Sequence, residues 1–214
     1  MAFSKMKKLN EQLKDIAISR NLKYTGHITT NGYALTPSIY KILKEEFNVY
    51  RIEITLDGSK EFHDKRRVTT SGIGSFDIIF NNLKAITQSP FYDKNTCVIS
   101  IRCNVDERNI EGVMPLLEML YKHNMQDKII FYTTPVVSWS NNGAGSMLGH
   151  KLLGKLSSKH IEYMINHNFK VTILPKRVAP YQCIGTDNDA EMYDADGNIL
   201  DCSETSYSEY YKSK

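Results

Sequence analysis

The chain has 214 residues, enough for one ample domain or one domain with a small appendage. Its 27 Lys and Arg against 24 Asp and Glu leave a net charge of +3, too slight and too scattered for nucleic acid to be the expected partner. No apolar run approaches the roughly 20 residues of a membrane span, and the basic, amphipathic start lacks the apolar core of a secretory signal, so the expected setting is cytoplasmic, away from any membrane.

Residues 4–20 have helical periodicity, with Met6, Leu9, Leu13, Ile16 and Ala17 on one stripe. A strand over about 24–30 follows, and then Thr36 as N-cap and Pro37 at the first helical position open a helix to about Phe47. Next come a strand over 49–56, helices near 59–66 and 74–88, a strand over 97–105, a helix over 109–123 and a strand over 128–134. The repeated strand-helix order predicts α/β with a parallel sheet and every crossover helix on the outside. The stretch 135–149, rich in Gly, Asn and Ser around Trp139, reads as a long loop over the rim. A helix over 157–168 and a strand over 170–174 complete the α/β part. Beyond Ala179, Met192-Tyr193 and Ile199-Leu200 flank an Asp196-Gly197 hairpin turn in a tail too small for its own core.

Three strands end in polar clusters: Ile28-Thr29-Thr30-Asn31-Gly32, Ile54-Thr55-Leu56-Asp57-Gly58 and Ile101-Arg102-Cys103-Asn104. If the strands are parallel these ends converge on one rim, where barrels and open α/β folds bind ligands. Alternation puts Ile52, Ile54 and Leu56 on one face and Glu53, Thr55 and Asp57 on the other. His27, Thr29 and Asn31 alternate with Ile28 and Thr30, and Val98, Ser100, Arg102 and Asn104 oppose Cys97, Ile99, Ile101 and Cys103. A polar inner face suits a ligand-filled lumen, or else an exposed sheet face with helices on one side only.

The four cysteines, at 97, 103, 183 and 202, do not form a disulfide framework in a chain of this size. Cys97 and Cys103 lie six residues apart on one strand, hence roughly 20 Å at about 3.3 Å per residue. They cannot bridge or share a metal, and read as small buried hydrophobes on the helix-facing side.

The succession Thr30-Asn31-Gly32-Tyr33-Ala34-Leu35, then Ile54-Thr55-Leu56-Asp57-Gly58 with His63-Asp64-Lys65-Arg66-Arg67, then Gly72-Ile73-Gly74-Ser75-Phe76-Asp77 and Ile101-Arg102-Cys103-Asn104 resembles the central half of radical S-adenosylmethionine enzymes. Cys183-Ile184-Gly185 and the run from Asp194 to Cys202 resemble the start of a SPASM domain, which points to the branch that modifies peptides and proteins or matures sulfatases. The resemblance implies a partial TIM-like (β/α) barrel over 1–178 lacking its first strands, with an incomplete SPASM-like auxiliary segment over 179–214. It further implies S-adenosylmethionine and a [4Fe–4S] cluster as cofactors of the intact family and a peptide or protein as substrate.

The family's Cys-x-x-x-Cys-x-x-Cys triplet and its Gly-Gly-Glu-Pro motif have no counterpart in these residues. Iron–sulfur clusters take their irons through Cys thiolates. Without the cluster no electron reaches the sulfonium, and the expectation is a fragment, truncated at both ends, that is inert by itself and binds no cofactor stably. A complementary half could then come from another chain.

In the resemblance Thr55 offers its hydroxyl to the ribose or carboxylate of S-adenosylmethionine, and otherwise caps the next turn. Arg67 matches the cofactor-contacting arginine, whose fork suits a carboxylate; otherwise it is a solvated helix-end arginine, a role that fits Arg66 better. Asn31 faces the cofactor or only makes the Asn-Gly turn, and Asp57 is an inward acid or a turn former. Arg102 and Asn104 hold cofactor or substrate, or Arg102 pairs with Glu53 across adjacent strands. Val137 falls where the family presents backbone to adenine. His63 and Asp64 start or cap a helix rather than bind metal. Cys183 and Cys202 match auxiliary-cluster ligands of an intact ancestor, and two thiolates alone are free thiols or a weak zinc site. The competing readings are a non-catalytic module that grips a peptide or nucleotide, and the remnant of a disrupted gene.

Overall fold

A computed structural model describes residues 3–137 and 148–171, together with 185, 187, 189–194, 196–200 and 202. The predicted order of elements is observed: α1 (Phe3–Ser19), β1 (Gly26–Thr30), α2 (Pro37–Glu45), β2 (Val49–Thr55), α3 (Lys60–His63), α4 (Phe76–Thr87), β3 (Val98–Val105), a 3-10 turn (Ile110–Gly112) running into α5 (Val113–Lys122), β4 (Ile129–Pro135) and α6 (His150–Asn166). Thr36 caps α2 as its sequence position implied, with extended backbone and its Oγ1 accepting from the Ile39 amide at 3.3 Å.

The four long strands form one sheet in the order β1-β2-β3-β4, every pairing parallel. A consecutive parallel order with crossovers of one hand puts the connecting helices on a single side. On that side Ile52, Ile54 and Leu56 of the second strand meet Ile99, Ile101 and Cys103 of the third, all at most 1% exposed. Tyr40 and Leu43 from α2, Leu83 and Ile86 from α4, and Leu116, Leu117 and Leu120 from α5 close over them. Each such aliphatic side chain contributes about 1.5–3 kcal/mol on burial, so the core lies between the helices and one sheet face.

The opposite face is polar, as alternation required. Register aligns Thr29 with Glu53 and Glu53 with Ser100, then Thr55 with Arg102 and Arg102 with Tyr132. The sheet therefore has the apolar exterior and hydrophilic interior of a barrel arc.

Three local expectations are corrected. The expected stripe on α1 is only partly used: Leu9, Leu13 and Ile16 are 40–55% exposed, while Asn10 and Ala17 turn inward. Polar bonds set that rotation, since Asn10 accepts from the Tyr24 hydroxyl at 3.0 Å and Lys14 Nζ donates to the Glu46 carbonyl at 2.8 Å. Helix α6 starts at His150, not near 157, because Gly154, Ser157 and Ser158 in its first half imitate a loop. Helix α3 is one turn, Lys60–His63, shorter than the expected 59–66.

Lys170 bridges Ile130 in parallel; the rest of the strand expected over 170–174 is outside the described residues past Val171, as are 138–147 of the expected rim loop. The chain divides into two compact units, residues 1–135 with 148–171, and residues 136–147 with 172–214. In the second, β5 (Met192–Tyr193) and β6 (Ile199–Leu200) pair antiparallel around the expected turn. The Asp194 carboxylate ties that turn by accepting from the amides of Asp196 at 2.9 Å and Asn198 at 2.8 Å. No helix among the described residues is long and apolar enough to cross a membrane.

Candidate functional site at the strand ends

At the end of β1 the chain turns sharply at Asn31-Gly32. Asn31 Oδ1 accepts from the Tyr33 amide at 3.1 Å, an Asx turn. Gly32 has φ +75°, and a Cβ there would lie 2.8 Å from Ile54 Cγ2, so both backbone and space demand glycine. Asn82 fastens the turn from α4, donating to the carbonyls of Gly32 at 3.2 Å and Tyr33 at 2.9 Å. Beside it opens a cleft of about 940 Å³ whose walls include Thr29, Asn31, Tyr33, Arg66, Arg67 and Thr69. That volume lies within the range of small-molecule sites.

Asp57 organises the next part of the rim. It is wholly buried, and its Oδ1 accepts from the Asn104 amide at 2.9 Å and from Asn104 Nδ2 at 3.1 Å. Its Oδ2 accepts from Arg67 Nε at 2.6 Å. Asn109 Nδ2 adds bonds to the carbonyls of Asp57 at 3.1 Å and Asn104 at 2.7 Å. Asp57, Asn104 and Arg67 are thus one network in which both carboxylate oxygens of Asp57 are bonded to protein. Arg67, 37% exposed, lines the cleft with a guanidinium that, among the described residues, is engaged through Nε.

His63 was expected at a helix start or cap, and instead ends α3 with its ring fully buried. Its Nδ1 accepts from the Asp57 amide at 3.1 Å, and its Nε2 lies 3.1 Å from Ser75 Oγ, which donates to the Arg67 carbonyl at 2.8 Å. An accepting Nδ1 leaves the proton on Nε2. Burial pushes the imidazole down to about 4, so the ring is neutral. Asp64 does cap a helix, the following one, by accepting from the Phe76 amide at 2.9 Å.

On the inner face Glu53, 6% exposed, is the common partner of three side chains. Arg51 Nη2 stands 3.7 Å and Arg102 Nη1 3.8 Å from its carboxylate, and the Tyr132 hydroxyl donates to Oε2. Burial and that bond push the Tyr132 phenol up to about 12. Of the two roles open to Arg102, the pairing with Glu53 is therefore present. Thr55, 8% exposed, stands level with Arg102 on this face. Arg66 is no solvated helix-end residue: it reaches buried Asp106 at 3.4 Å.

Val137 belongs to the second unit and is half-exposed. Cys202 also lies in that unit, and Cys183 is outside the described residues. Among the described residues no group of three or more His, Cys, Asp or Glu could hold a metal. Cys97 and Cys103 are fully buried, as expected, and burial pushes the Cys97 thiol up to about 11 and that of Cys103 higher still. They are ill suited to bind a cluster, which needs accessible thiolates.

Sequence reasoning did not find the His63–Ser75 link, the Asn109 clamp or the Tyr132–Glu53 bond. Each joins residues whose meeting only the fold creates.

No protein-family model matches the sequence. A cysteine-type anaerobic sulfatase-maturating enzyme of Clostridium novyi (strain NT) is 37% identical over 70 residues, 33% of this chain and 18% of that protein. The solved structure of native anSMEcpe with bound AdoMet superposes with a TM-score of 0.60 at 17% identity, over 80% of this chain and 45% of that one. Native anSMEcpe with bound AdoMet and Kp18Cys peptide gives a TM-score of 0.56 at 18% identity, over 76% and 44%. The chain thus spans less than half the length of these relatives. Its fold is the radical S-adenosylmethionine, sulfatase-maturase-like α/β fold, present in part.

Proposed function

We propose that the chain is the central part of a radical S-adenosylmethionine enzyme that modifies a peptide or protein, and that these 214 residues are catalytically inert by themselves. The observation that carries this reading is the Asp57–Arg67–Asn104 network beside the cleft, on residues that match the family's motif in order. Support also comes from the anSMEcpe structures, which hold AdoMet and, in two cases, a peptide.

The cleft residues fit S-adenosylmethionine. Arg67 would take the methionyl carboxylate with its Nη groups, held in aim by Asp57 through Nε. Asn31, its Oδ1 occupied by the Asx turn, would offer Nδ2, and Thr55, at the end of β2 and outside the cleft's lining, its hydroxyl. Asp57, with both carboxylate oxygens bonded to Asn104 and Arg67, would act on the ligand through Arg67. When reduced through a bound cluster, S-adenosylmethionine supplies a hydrogen-abstracting radical. The described residues do not fit that cluster, because the strand cysteines are buried beneath helices and no other ligand group converges. Cys183 and Cys202 would be auxiliary-cluster ligands in a longer protein.

A complementary segment is part of the reading. Among the described residues β1 pairs on one edge only, and the uncovered flank of α1 (Leu9, Leu13 and Ile16) is apolar. An open strand edge with an apolar helix flank suits a partner that adds both a strand and a helix.

Anaerobic incubation with iron, sulfide and S-adenosylmethionine tests inertness. No absorption band near 400 nm and no cleavage are expected, and a stable band with cleavage would overturn it. Adding in trans an amino-terminal maturase segment with the cysteine triplet should yield S-adenosylmethionine binding that Arg67→Ala weakens about tenfold or more. Binding indifferent to Arg67 would remove the rim from the proposal. A non-catalytic peptide- or nucleotide-binding module would bind its ligand without the added segment.

A further inference from the structure

The inner-face cluster around Glu53 is not needed to hold S-adenosylmethionine in the reading above, and its bonding is lopsided. Arg51 donates from Nε to Ser100 Oγ at 3.0 Å and approaches Glu53 at 3.7 Å. Arg102 approaches Glu53 from the neighbouring strand at 3.8 Å, beyond hydrogen-bond distance. Its Nε is buried and has no hydrogen-bond partner among the described residues. A guanidinium presents five N–H donors in a rigid fork, and a buried donor without an acceptor is costly. Yet the side chains are not closed off, those of Arg51 and Arg102 being 31% and 39% exposed.

Charge points the same way. Two guanidiniums face one carboxylate, whose Oε2 is already taken by the Tyr132 hydroxyl. Desolvation, then Arg51, holds the neighbouring His27 below its ordinary value, so the imidazole adds neither a competing cation nor an anion at neutral pH. The cluster therefore has one positive charge in excess, on donors fixed by a buried counter-ion.

We propose that Arg51 and Arg102, braced by Glu53, form a carboxylate-binding subsite on the inner face of the sheet. This rests on the peptide-modifying reading and deepens it, by assigning the substrate class as a peptide with an acidic side chain near the residue to be modified. The accessible part of the Arg102 guanidinium receives one carboxylate oxygen, and Arg51 the other. Glu53 is a positioning residue: it orients both forks and its own charge limits how tightly an anion is held.

The test uses the 214-residue chain and no S-adenosylmethionine, so its failure is separate from failure of the wider reading. Arginine side-chain Nε–Hε resonances are followed by NMR, at constant ionic strength, during titration with acetyl-Gly-Glu-Gly-amide, with its Gln analogue and with acetate. The glutamyl peptide should shift the Arg51 and Arg102 signals saturably and the Gln analogue should not. Arg102→Gln should weaken binding on the order of tenfold, Arg102→Lys should recover part of it, and Glu53→Gln should strengthen it. Far-UV circular dichroism checks that each variant folds, and should one fail, the wild-type titration still decides. Acetate binding as tightly as the peptide would keep the subsite and overturn the acidic-peptide assignment. Equal shifts from the Glu and Gln peptides, or none from any ligand, would overturn the proposal.

Discussion

Arg67 and Asp57, ten residues apart in the chain, meet at 2.6 Å, with the arginine half-exposed at the cleft and the aspartate wholly buried. The asymmetry suits the proposed roles, in which Asp57 aims and Arg67 presents donors. Asp57→Ala would leave Arg67 unaimed and the amide and side chain of Asn104 without their acceptor, at a cost of about 1–3 kcal/mol. Urea denaturation should show this as a lowered midpoint. Arg67→Lys, which keeps the charge but not the fork, should cost less.

His63 makes stability depend on acid. Its folded value, about 4, lies below the ordinary 6.5, so the neutral ring favours the fold and the unfolded chain binds the proton first. The contribution is complete above pH 6.5 and is lost as pH falls toward 4. A 2.5-unit depression corresponds to roughly 3 kcal/mol. Urea midpoints measured across that interval should fall steeply in the wild type and much less in His63→Gln.

Two glycines with positive φ should respond differently to alanine. Gly32→Ala meets both left-handed strain and Ile54 Cγ2 at 2.8 Å, for a loss of about 2–4 kcal/mol. Gly72 has φ +78° but nothing within 4 Å of a built Cβ, so Gly72→Ala should cost only about 1–2 kcal/mol. Paired thermal melts separate the two.

Cys97 and Cys103 should resist alkylation in the native protein, because burial raises both thiols and shields them. Peptide mapping after iodoacetamide treatment should find both modified only in urea. Native labelling of either would reopen a ligand role for it.

The exposed flank of α1 should tolerate polar residues. Leu9→Gln and Leu13→Gln should leave stability within about 0.5 kcal/mol and reduce self-association measured by light scattering. A large stability loss would mean that this flank is already packed.

The local code determined the order and type of the elements, the Thr36 cap, the Asn31-Gly32 turn, the two faces of each strand and the parallel sheet. Alternation, capping and turn chemistry act over a few residues, so they can be read without the fold. The same code left Arg102 divided between a ligand and Glu53, placed His63 at a helix start or cap, and put Leu9, Leu13 and Ile16 on one apolar stripe. Only tertiary structure decided these. The pairing of Arg102 depends on strand register, the burial of His63 on the return of Ser75 from the next helix, and the rotation of α1 on its polar bonds with Tyr24 and Glu46. Contacts between residues far apart in sequence carry no periodic signal, and they fix which polar groups remain available to a ligand.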